Sequence, residues 1–105
     1  MAENQTGRIH NGNTYTLTLE DFRRYMETVS TKAASTVNQY ARAIDEIHTI
    51  EQQNLSQMAA TIDNLLQKYG VGGENEQLGT QWHNVRISAL QEFQRFITFL
   101  QNTNS

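Results

Sequence analysis

The chain has 105 residues, no cysteine, no proline and a formal net charge of -3, which leaves room for one domain with one modest core. The missing cysteines exclude a disulfide framework and any thiolate metal site, and the acidic balance argues against a general nucleic-acid coat, which needs a cationic surface. No apolar run approaches the roughly 18 residues of a membrane span, and the first residues offer no hydrophobic signal segment, so a cytoplasmic protein is the expectation.

Residues 1–16 are polar, hold Gly7 and Gly12 and lack periodicity, which reads as a flexible arm. One helical domain then spans 17–101, with a frayed tail at 102–105. Thr18 and Asp21 make a capping-box pattern, and Leu17 and Phe22 are placed for a hydrophobic staple. Leu19, Phe22, Tyr25, Met26 and Val29 follow on one helical face. Ser30-Thr31-Lys32 is a short polar joint. A second helix starts near Ala33 to Ser35, burying Val37, Tyr40, Ala41, Ile44 and Ile47 and turning Asn38, Gln39, Arg42, Asp45, Glu46 and Thr49 outward.

The polar run Glu51-Gln52-Gln53-Asn54 ends that helix, and Ser56 is placed to cap a third bearing Met58, Ile62, Leu65 and Leu66. One unbroken rod from Ala34 to Tyr69 is the alternative, but such a rod could not fold back on itself. Gly70 closes the third helix in the usual C-terminal glycine position. Residues 70–79 hold four of the six glycines and form the main loop. Thr80 can cap a fourth helix reaching about Gln101. On it Trp82, Val85, Ala89, Leu90, Phe93, Phe96, Ile97 and Leu100 form an apolar stripe that other helices must cover. Phe22, Met26, Tyr40, Ile44 and Leu65 are the expected partners. The fold class is therefore all-α, a compact four-helix bundle.

Little in the sequence suggests catalysis. Asp45 and His48 share a helix face, but a di-iron bundle needs two such pairs and further glutamates, so a surface pair is the plain reading. Gly70-Val71-Gly72-Gly73 follows a helix and lacks the lysine-serine ending of a phosphate loop, so it is a connector. No glycine-flanked serine elbow exists. The expectation is a protein without enzymatic activity, metal or cofactor. Arg23 and Arg24 sit among Glu20, Asp21 and Glu27, where local pairing explains them. Arg42 stands near Asn38 and Gln39, and these are side chains whose bidentate groups match base edges. Arg86 lies at the polar edge of the fourth helix, and Lys32 sits where a phosphate contact would be easy.

Two segments resemble the N-terminal core-binding domain of tyrosine recombinases, the phage integrases. Leu19-Glu20-Asp21-Phe22-Arg23-Arg24-Tyr25-Met26-Glu27, followed by Lys32 to Ile44, is similar to that domain's first helix, joint and second helix. Arg86-Ile87-Ser88-Ala89-Leu90 with Phe93, Phe96 and Leu100 resembles its last helix. Similar helical domains precede the nuclease modules of some restriction-type enzymes. The resemblance implies a four-helix bundle of the integrase core-binding type that meets duplex DNA through the second and fourth helices. Carried over by position, the implied contacts are Lys32, Asn38, Gln39, Arg42, Arg86 and Gln91. The departures are Gln91-Glu92, where integrases carry a lysine or arginine, and Asp45-Glu46, which would face phosphates. No catalytic domain follows in this sequence, so recombination or strand cleavage by it is not expected.

The leading expectation is a DNA-binding helical module, either part of a larger DNA-processing enzyme or a small accessory protein of a phage or mobile element. The alternative is a small acidic protein-binding module, such as a phage-encoded inhibitor of a host defence nuclease. A substrate of type VII secretion ranks last, because Asn84 stands where that family has a glycine after its tryptophan.

Overall fold

The computed structural model describes residues 16–103, and over this range the chain is all-α with no strand. Its helices are α1 (Leu19–Thr28), α2 (Ala34–Glu51), α3 (Leu55–Ala60), α4 (Ile62–Tyr69) and α5 (Glu76–Thr103). The arm expected at 1–16 lies outside the described residues except for its last position, as does the end of the expected tail.

The start of α1 follows its sequence signals. The Thr18 hydroxyl accepts the Asp21 N–H at 3.1 Å, and the Asp21 carboxylate accepts the Thr18 N–H at 3.0 Å, so two orphan amides are satisfied reciprocally. Phe22 and Met26 are fully buried, whereas Val29, expected on the same face, is 47% exposed because the helix has ended before it. Arg23 reaches across the joint instead of pairing locally. Both of its terminal nitrogens donate to Asn38 Oδ1, at 3.0 and 2.8 Å.

The expected third helix is two. Asn54, not Ser56, caps it, through a capping box with Gln57. Ser56 is the second residue of the helix and accepts the Leu17 N–H at 3.2 Å, tying the approach to α1 onto α3. The chain then bends at Thr61 (φ -116°, ψ 22°) and continues as α4. At the end of α4, Tyr69 donates to Glu51 Oε2 at 2.9 Å and Lys68 to Glu51 Oε1 at 3.1 Å, so the last residue of α2 anchors α4. Gly70 closes α4 as expected by position, but its backbone is extended and Gly72 takes the left-handed conformation, at φ 83°.

Helix α5 begins at Glu76, four residues before the expected cap. Thr80 is inside its first turns, its hydroxyl donating to the Glu76 carbonyl at 2.9 Å. Gly79, counted with the loop from sequence, is buried where α5 passes α4, and a Cβ there would stand 1.8 Å from the Tyr69 carbonyl oxygen. α5 packs on α2 and α4 and touches α1. Its inner face carries Ala89, Leu90, Phe93 and Phe96 into a core with Phe22, Met26, Ile44 and Leu65, with Tyr40 and Leu100 packed at the edge. Phe93 meets the Phe22 ring edge-on at 5.3 Å, a favoured arrangement for two aromatic quadrupoles. Trp82 is the exception to the predicted stripe: it is 63% exposed.

Candidate functional site

The exposure of Trp82 follows from a break in α5. Gln81 is extended, and Trp82, His83 and Asn84 have φ of 54°, 61° and 65°, a left-handed turn of three non-glycine residues. Each such residue brings its Cβ against a carbonyl at a cost of roughly 1–2 kcal/mol, and such conformations persist only where the surroundings over-determine them. Asparagine tolerates that region better than most residues, which suits Asn84. The sequence has no proline or glycine at 81–84 to force the break.

Arg86 supplies the restraint. Its Nη1 donates to the Leu78 carbonyl at 3.0 Å and to Gln81 Oε1 at 2.8 Å, so one guanidinium holds the chain on the far side of the break. Its other edge pairs with Glu46 of α2, Nε at 3.1 Å and Nη2 at 2.9 Å from Oε1. The guanidinium also lies 4.7 Å from the centroid of the Trp82 ring, a cation–π distance. Arg86 is 6% exposed. The sequence placed it at the polar edge of the helix, and the structure corrects that placement: the guanidinium is buried and engaged inside the fold.

Between α2 and the turn lies an open groove of about 560 Å³, with Asn38, Gln39 and Arg42 on one wall and Trp82, His83 and Ser88 on the other. The structure therefore brings Asn38, Gln39 and Arg42 together and adds Trp82 and His83, which sequence reading assigned to the core and to no site. The other candidates stand apart from this groove. Lys32 lies 3.9 Å from Glu92, a carboxylate that is 1% exposed and also takes the Ser30 hydroxyl at 2.6 Å and Arg95 at 2.8 Å. Gln91 is exposed on α5 and does not line the groove. The burial of Glu92 had a signal in the sequence: 85, 89, 92 and 96 fall on one helical stripe.

Among the described residues Arg42 is the one lysine or arginine without a hydrogen bond or ion pair inside the fold. Gln39 and His83 are likewise without an internal partner. Ser88 and His83 share no hydrogen bond, and no carboxylate orients the imidazole, so the groove holds no nucleophile–base pair. His48, the other histidine considered, turns Nδ1 to the Gln53 carbonyl at the end of α2. No group of three or more metal-ligating side chains occurs among the described residues, and no helix there is long and apolar enough to cross a membrane.

No protein-family model, curated protein or solved structure matches the chain. The functional reading therefore stands on the groove itself.

Proposed function

We propose that this chain is a non-catalytic recognition module that docks a segment of a partner protein in the groove between α2 and the turn at 81–84. The observation that carries the reading is the contrast between the engaged cations and the presented aromatic. Six of the seven described lysines and arginines serve internal contacts, while a 63% exposed tryptophan, stacked against the Arg86 guanidinium, lines the same groove as the seventh. Duplex affinity grows with the number of phosphates met by cations, which disfavours DNA here. Tryptophan and arginine dominate the energetics of protein interfaces. A small acidic inhibitor of a host defence nuclease, acting in the cytoplasm, is one protein of this kind.

DNA binding is the second reading, favoured by Asn38, Gln39 and Arg42 standing together on the outer side of α2. It takes the bundle as the integrase core-binding type, with α3 and α4 as one bent helix, and the chain as a module of a phage or mobile-element DNA enzyme. One preparation tests both readings. Titration with duplex at low ionic strength, where electrostatic attraction is strongest, is expected to give no saturable binding. Crosslinking capture by the wild type, lost on Trp82→Ala, is the expected positive result. Saturable duplex binding that Arg42→Ala weakens would reverse the order of the two readings.

A further inference from the structure

We infer that the groove takes an acidic peptide segment, one carboxylate side chain set against Arg42 and a neighbouring apolar side chain laid on Trp82. This rests on the groove being a protein-docking site. Glu46, the carboxylate lining the groove, is neutralised by Arg86 at 2.9 Å. Arg42 is left uncompensated, so the groove carries one local positive charge on a chain whose net charge is -3.

That combination selects for a single carboxylate over a polyacidic run. The guanidinium fork meets a carboxylate in bidentate geometry, whereas a string of acids would meet the repulsion of the whole chain within a Debye length of about 8–10 Å. Trp82 supplies the apolar half of the contact. Its ring stacks against the Arg86 guanidinium at 4.7 Å and remains 63% exposed, so that contact lowers the side-chain freedom lost on binding. Gln39 and the His83 ring, both without internal partners, supply hydrogen-bonding groups for a peptide backbone. The volume of about 560 Å³ lies within the roughly 300–1,000 Å³ of small-ligand sites, which fits a short run of side chains and not a whole helix.

Selection of a random peptide library on the immobilised full chain tests this without knowledge of the partner. The expected outcome is a set of peptides that need Trp82, share an aspartate or glutamate near an apolar residue, and bind Arg42→Glu about tenfold or more weakly. Gln39→Trp, which fills the opposite wall, is the second blocking variant should Trp82→Ala lose helical content. Peptides that need Trp82 but show no acidic preference, or an acidic preference unchanged on Arg42→Glu, overturn the inference and leave the docking groove standing. Selection yielding no peptide sensitive to either blocking variant overturns both.

Discussion

Arg86 of α5 and Glu46 of α2 meet at 2.9 Å, and the same guanidinium reaches back to Leu78 and Gln81 across a break in its own helix. One side chain therefore links α2, α5 and the turn that presents Trp82. Removing it leaves Glu46 and the Leu78 carbonyl without their donors. Glu46 is about one-third exposed, so water screens part of the loss. Arg86→Ala is expected to cost about 2–3 kcal/mol in urea unfolding and to red-shift Trp82 emission. Arg86→Lys should fail to restore either, because a lysine cannot donate in three directions from a planar fork.

The left-handed turn makes a prediction of sign. His83→Gly relieves a positive φ and is expected to raise stability by about 0.5–1 kcal/mol, net of the greater freedom it gives the unfolded chain. Were residues 81–84 helical in solution, the same change would instead lower stability by about 1 kcal/mol. The direction of the shift in midpoint decides.

Gly79→Ala is expected to be among the most damaging single-methyl additions. Its Cβ would fall 1.8 Å from the Tyr69 carbonyl oxygen, a backbone atom that moves only if α4 and α5 part. A loss of about 3 kcal/mol or more is expected, at or beyond the top of the usual range for overpacking. A midpoint shift equivalent to less than about 1 kcal/mol would contradict the close approach.

Phe93→Ala should cost about 3–5 kcal/mol, since Phe93 is fully buried against the Phe22 and Phe96 rings. An unchanged unfolding midpoint would mean that the inner face of α5 is wrongly placed.

Alkaline stability reports Tyr69. Burial, the largest cause, and the Glu51 carboxylate it donates to push its hydroxyl from 10.0 up to about 12. Well below pH 10 both folded and unfolded states hold the Tyr69 proton, so its contribution to stability is constant there. Between pH 10 and about 12 the unfolded chain loses the proton first, and stability falls by up to about 1.4 kcal/mol per pH unit. Urea unfolding at pH 9 and pH 11 should show this loss, and Tyr69→Phe should reduce it. Tyr25, also raised, chiefly by burial, accounts for a residual slope.

Local chemistry determined the parts of this protein that local chemistry can determine. Thr18 and Asp21 needed only each other to start α1, and the spacing of Leu90, Phe93 and Phe96 was enough to mark a buried face. The candidate wall of Asn38, Gln39 and Arg42 was legible because those residues fall on the outer side of a regular helix. Other features depended on residues distant in sequence. Arg86 is buried because Glu46, forty positions earlier, meets it there, and Gly79 is required because Tyr69 passes beside it. A helical period assumes that the helix continues, and at Trp82 it does not. The backbone turns left-handed at 82–84, and an aromatic ring that periodicity assigned to the core faces solvent against the Arg86 guanidinium. Hydrophobic patterning is a property of the single chain segment, whereas the pairing of a buried charge and the clearance between two backbones exist only once the segments are packed.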